Sequence, residues 1–219
     1  MTTIALIHAS RASVDPVTHH YNQAAPELKT VNILDDGVMA MLASLDLDRA
    51  VRRLAEMLET AWLEHRASVA VVTCSALSRE GMRRLRASAK IPVLKIDEPM
   101  TRRAAAAGKR IGVVATFPAT VATTIELLHE AALSPIETTH VLAAAALQAL
   151  LRGDAAEHDR LLIEAAQQVE REGIDALVLA QVSMARLEPQ VRAKVKVPVF
   201  SSVATSLDEV RALLAQTSQ

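Results

Sequence analysis

The chain has 219 residues, 51% hydrophobic and 22% charged, with a formal net charge of −1. That composition excludes a disordered chain, and the interspersed charges leave neither a basic stripe for nucleic acid nor a polybasic membrane patch. A single cysteine excludes an internal disulfide. Apolar stretches are strand-sized or are alanine-rich helix faces, short of the ~20 residues of a membrane span. The N-terminus begins as a strand without the features of a signal peptide, so the expectation is a cytoplasmic protein with a small-molecule partner.

In chain order, Ile4 to His8 reads as an apolar strand closed by Ala9 and Ser10, and Asp15-Pro16 starts a helix. Leu28 to Leu34 alternates as a second strand, broken by Asp35-Asp36-Gly37. From Asp46 to Arg66 the residues Leu47, Ala50, Val51, Leu54, Met57, Leu58, Ala61 and Trp62 recur at helical spacing. Val69 onward is a third strand, Ser78 is the expected N-cap of the next helix, and Ile91 to Ile96 is a fourth strand. Met100 to Ala107 is an alanine-rich helix stopped by Gly108. Alternating strands and helices predict a parallel α/β fold.

The chain then starts again. A shift of 107 positions lays Ile4-Ala5-Leu6-Ile7 on Ile111-Gly112-Val113-Val114, the helix around Leu54 on the one around Leu161, and Val69 to Val72 on Ala176 to Leu179. One step out of register, Ile91-Pro92-Val93-Leu94 matches Val197-Pro198-Val199-Phe200. Two pseudo-symmetric α/β lobes are expected, each a parallel sheet flanked by helices; packed about a pseudo-two-fold axis with strand C-termini facing, they would set Cys74 and Gln181 across the cleft between them. Residues 1–98 form the first lobe, joined by a C-terminal helix over 205–219, and residues 99–204 form the second. The same shift lays Cys74 on Gln181.

Cys74 ends a strand of β-branched residues, in Val69-Ala-Val-Val-Thr-Cys-Ser-Ala-Leu-Ser78. There a thiol is expected to meet the first turn of the next helix, whose N–H groups stabilise a thiolate or a bound carboxylate. The plainer reading is a small buried hydrophobe. Ser10, Ser75, Thr116, Thr120 and Ser183 all fall at predicted strand ends or helix starts, where hydroxyls hold an anion or cap helices. His8 and His140 end their strands and can serve as acid or base, or be simply hydrogen-bonded. Met184 and Phe117 can line the site or belong to the core. Metal-binding, serine-hydrolase and phosphate-loop motifs are missing, which argues against a metal site and against nucleotide chemistry.

The Thr73-Cys74-Ser75 turn, the stretch Ile111 to Thr116 leading to Thr120, and Val178 to Ala185 together resemble the aspartate/glutamate/hydantoin racemase superfamily over essentially the whole chain. The resemblance implies an active site in the cleft between the lobes and cofactor-independent proton transfer at the carbon α to a carboxylate, with one cysteine from each lobe. It implies Cys74 as the catalytic thiol and small hydroxyl residues near Ser75 and Thr116 as the carboxylate grip. Many relatives form dimers, so a homodimer is compatible. The second cysteine position holds Gln181, whose amide donates a hydrogen bond but is no useful base. Three outcomes stay open: one-thiol chemistry with Cys74 as acid/base, in isomerisation, tautomerisation or decarboxylation of a malonate-type substrate; racemisation in which another acid such as a histidine joins Cys74 and Gln181 only orients substrate; or binding of a small carboxylate without turnover.

Overall fold

In the computed structural model the structure describes residues 2–217, so residue 1 and positions 218 and 219 of the expected C-terminal segment lie outside the described residues. The chain divides into two compact units, Met1–Ile96 with Val203–Gln219, and Asp97–Ser202.

Unit 1 carries β1 (Thr2–His8), α1 (Val14–Ala24), β2 (Leu28–Leu34), α2 (Gly37–Ala43), α3 (Leu47–Leu63), β3 (Val69–Val72), α4 (Arg79–Ser88) and β4 (Val93–Lys95). Its four strands form one parallel sheet in the order β2-β1-β3-β4. The central strands are apolar on both faces because helices cover both, and Ile4 to Ile7 and Val69 to Val72 are all fully buried. The helix α3 shows why the sequence pattern works: Asp46 caps it by accepting the Arg49 N–H at 3.0 Å, and Leu54, Met57, Leu58 and Ala61 share its buried face. The helix stops at Leu63 rather than at the expected Arg66, which adopts a left-handed φ of 51°.

The chain returns to unit 1 with the last helix, α10 (Ser202–Thr217). Ser206 Oγ lies 3.0 Å from the hydroxyl of buried Tyr21, and Arg211 donates to the Ala24 carbonyl at 2.6 Å.

Unit 2 repeats the plan with α5 (Glu98–Ala107), β5 (Arg110–Ala115), α6 (Pro118–Ala131), β6 (Glu137–Leu142), α7 (Ala144–Leu151), α8 (Ala155–Glu170), β7 (Ala176–Leu179), α9 (Glu188–Arg192) and β8 (Val199–Phe200). Its parallel sheet runs β6-β5-β7-β8. The repeat extends to the pairing register: Ile4 faces Val69 in unit 1, and Ile111 faces Ala176 in unit 2, the same partners moved by 107 positions. One core cluster, with Leu162, Val169, Leu177 and Leu179, packs on one side of this sheet, and another, with Met100, Val113, Leu128 and Val178, on the other.

Gly108 ends α5 with an extended backbone, φ 177°, so its role is not a left-handed cap. A Cβ there would sit 2.3 Å from Asp175 Cβ, and the Asp175 carboxylate accepts the N–H groups of Lys109 and Arg110 as β5 begins. Glycine is needed for that close approach. Among the described residues no helix is long and apolar enough to cross a membrane.

Candidate functional site

In a parallel sheet the helices flanking two neighbouring strands leave the sheet in opposite directions where the strand order reverses, and the strand C-termini at that point form a ligand crevice. In unit 1 the reversal falls between β1 and β3, and in unit 2 between β5 and β7. His8 and Ser10 follow from β1, Thr73 to Ser75 from β3, Thr116 from β5, and Gln181 from β7. The sequence-predicted site residues therefore collect at one topological position in each unit.

In unit 1, Cys74 is 5% exposed, with its Sγ 3.9 Å from Met39 Sδ on α2. It precedes α4 rather than joining it. That helix begins four positions later at its cap Ser78, whose hydroxyl and carbonyl take the N–H groups of Gly81 and Met82. A separate turn, closed by the Leu77 N–H on the Cys74 carbonyl at 3.3 Å, carries the thiol instead.

Beneath that turn lies a polar network. His8 is fully buried, with Nε2 2.9 Å from Asn32 Oδ1 and Nδ1 2.9 Å from Ser13 Oγ and 3.0 Å from Thr73 Oγ1. The Asn32 oxygen only accepts, so Nε2 carries the imidazole proton and Nδ1 is an acceptor. Ser13 donates to the Ser10 carbonyl at 2.7 Å, which leaves the Thr73 hydroxyl to fill Nδ1. The Thr73 hydroxyl also lies 3.1 Å from Ser13 Oγ and 3.2 Å from the Ile7 carbonyl, which already takes the Thr73 N–H. Every group is then satisfied by one set of protons. Burial pushes the His8 pKa down, offset only in part by the bond to Asn32, and keeps the ring neutral. His8 thus anchors the residue before Cys74.

Ser75 is buried, and its carbonyl accepts from Lys95 Nζ at 3.2 Å; Lys95, at the end of β4, is 1% exposed. Ser10 uses its hydroxyl to cap the short 3-10 helix Arg11–Ser13 through the Ala12 N–H. Arg11 pairs with Asp36 at the surface.

In unit 2, Thr116 is 3% exposed, and both its N–H, at 2.6 Å, and its hydroxyl, at 2.9 Å, reach Gln181 Oε1. A backbone N–H only donates, so the atom facing it is the amide oxygen and the amide NH2 points the other way. Gln181 is half-buried, extended, and caps the 3-10 helix Val182–Leu187, in which Ser183 is half-buried. Thr120 is buried in the first turn of α6, behind half-buried Phe117. Met184 is fully buried in the core, so it packs and does not line a site. His140 is exposed on the edge strand β6, away from the reversal between β5 and β7.

Three residues, Ser13 and Asn32 beside His8 and the buried Lys95, were not singled out from sequence, nor was the direct bond between Thr116 and Gln181. Only Lys95 left a signal, as a lysine inside the apolar run Val93-Leu94-Lys95-Ile96. A charge in a strand of that kind is either an error in the strand assignment or a buried, partnered cation.

The Asp/Glu/Hydantoin racemase family matches residues 8–210. No curated protein matches the chain. Among solved structures, a glutamate racemase from Francisella tularensis in complex with D-glutamate has a TM-score of 0.80 at 14% identity, over 99% of this chain and 82% of that one. An allantoin racemase from Klebsiella pneumoniae reaches 0.74 at 21% identity, over 99% and 89%. An aspartate racemase homologue from Pyrococcus horikoshii reaches 0.70 at 14% identity, over 100% of both chains. These similarities concern the fold, whereas the family match spans nearly the whole sequence, and by it the chain belongs to the Asp/Glu/hydantoin racemase family.

Proposed function

We propose that this protein is a cofactor-independent carbon-acid enzyme that moves a proton at the carbon α to the carboxylate of a small amino acid or related acid, with Cys74 as acid and base. The observation that carries this reading is the setting of Cys74. The thiol follows the central strand β3 at the sheet's reversal, the preceding Thr73 is fixed by neutral His8, and Lys95 bonds the carbonyl of Ser75. A thiol titrates within reach of neutral pH, and a positive charge is of the sign that stabilises its anion. Buried Asp97, two residues beyond Lys95, is the nearest acidic residue in sequence to that cation.

His8 is excluded as a second base under this reading, because both ring nitrogens are engaged and the ring has no exposure. Gln181 stands where a second thiol would serve, and its amide neither ionises nor takes up a proton near neutral pH. Proton transfer then proceeds through one thiol. Ser10, Ser75, Thr116, Thr120 and Ser183 are the substrate-binding candidates, with the hydroxyl of Ser10 already committed to a cap. The single thiol also favours a second reading, decarboxylation of a malonate-type acid, in which Cys74 protonates the enediolate left by loss of carbon dioxide.

The test is incubation with a panel of amino acids, hydantoins and malonates in heavy water. Deuterium at the α-carbon that disappears in Cys74→Ala supports proton transfer, and carbon dioxide release from a malonate identifies the decarboxylase. A ligand that raises the melting temperature without either reaction would replace the enzyme reading with binding alone.

A further inference from the structure

Two donors of one buried residue converge on a single oxygen of the chain itself. The Thr116 N–H and hydroxyl meet Gln181 Oε1 at 2.6 and 2.9 Å, where β5 ends and α6 has not yet begun. An N–H and an O–H aimed at one oxygen at a strand C-terminus form the kind of cradle that holds one oxygen of a carboxylate. We propose that Gln181 is an internal stand-in for a ligand carboxylate: its amide oxygen occupies the Thr116 donors in the ligand-free protein, and a small carboxylate enters this cradle only by displacing it. The inference rests on the reading that the protein takes a small carboxylate, and it concerns how that ligand is admitted.

The local structure allows the exchange. The Gln181 backbone is held independently of its side chain, with φ −127° and ψ 145° and its carbonyl accepting the Met184 N–H at 3.0 Å. Rotation about the side-chain bonds alone therefore empties the cradle. Gln181 is the more exposed partner, half-buried against 3% exposure for Thr116, so it leaves toward solvent while the donors stay in place.

The energetics set the direction. A carboxylate accepts hydrogen bonds about twice as strong as those of a neutral amide, so it wins the donors when bound. The tethered amide needs no association and holds them otherwise, which lowers the apparent affinity by the fraction of molecules with an empty cradle. A cysteine at the same position is two bonds shorter and a weak acceptor, and it closes no such bond. Glutamine here therefore does two things at once: it removes a titratable group, and it covers an anion site.

Calorimetric titration with acetate and with malonate tests this on the full chain. Gln181→Ala is expected to bind about tenfold more tightly than the unaltered protein, equivalent to about 1.4 kcal/mol. Gln181→Glu, which tethers a carboxylate in the cradle, is expected to bind neither probe. Gln181→Met keeps the length of the side chain without the acceptor and should show the same gain, which covers a poorly folded alanine variant. Adding Thr116→Val to Gln181→Ala should reverse most of the gain, separating release of the cradle from general loosening. Equal or weaker binding in both Gln181→Ala and Gln181→Met, or no binding by any variant, overturns the proposal. Binding is read without turnover, so absence of Cys74-dependent deuterium exchange leaves this result standing. Unchanged affinity in the Gln181 variants in turn leaves the exchange reading standing.

Discussion

At the end of β3 the chain places Thr73 and Cys74, and at the end of β7 it places Ala180 and Gln181. Unit 1 surrounds its turn with ionisable groups, a neutral buried imidazole and a buried lysine, while unit 2 closes its turn with an amide bonded to a threonine. The backbone plan is shared down to the pairing register, yet the equivalent positions hold a thiol, Cys74, in one unit and an amide, Gln181, in the other. A duplicated fold thus fixes where equivalent side chains stand, and under the proposed reading the difference at one position decides which unit carries the proton.

The sharpest way to break this contrast is to restore the missing thiol. Gln181→Cys is expected to raise conversion between enantiomers by about 10²-fold over the unaltered protein, the scale contributed by a positioned acid or base. Chiral chromatography of a substrate that shows α-deuteration measures it. No gain would mean that unit 2 differs by more than its thiol.

Next in size is the His8 network. His8→Ala removes a buried ring and strands Thr73 and Asn32, and is expected to lower stability by about 3 kcal/mol, read from the denaturation midpoint at unchanged m-value. The same ring gives the protein a pH dependence. Its folded pKa is depressed, so its contribution is complete above the ordinary value of 6.5 and is lost as pH falls below that toward the folded value. Melting curves should show stability falling below about pH 6.5, and His8→Asn should flatten that fall in part, since His20 is also shifted down by burial. An unaltered slope in His8→Asn would assign the dependence elsewhere.

The smallest effects come from the residues around the long helices. Unit 1 uses Leu45 and Arg66 at left-handed φ on either side of α3, while unit 2 uses Gly153 and Gly173 on either side of α8. Arg66 and Gly173 are related by the same shift of 107 positions as the strands. Arg66→Gly should stabilise by about 0.5–1 kcal/mol, because relief of the left-handed side chain exceeds the added freedom of the unfolded chain. Gly173→Ala should cost a similar amount. Thr124, whose buried hydroxyl has no hydrogen-bond partner among the described residues, should tolerate valine with no loss or with a gain of about 1 kcal/mol in the same thermal assay.

The same comparison explains what the sequence made legible. The strand Leu28–Leu34 and the cap Ser78 depend on neighbours a few residues away, and their patterns are local. The repeat was readable because it compares element with element at one fixed shift. The overshoot to Arg66 arose because apolar spacing says nothing of a left-handed residue that a side chain can occupy at a modest cost. The networks were illegible because they join residues far apart in the chain, His8 with Asn32 and with Thr73, and Thr116 with Gln181. Spacing put hydroxyls at the strand ends, but which of them face a partner of the chain's own depends on side-chain reach, which spacing does not encode.

The most direct test of the central claim is proton nuclear magnetic resonance of α-deuteration in heavy water, comparing the unaltered protein with Cys74→Ala at equal fold stability. The account predicts exchange in the first and a loss of at least about 10²-fold in the second. Exchange that persists undiminished without the thiol would contradict it.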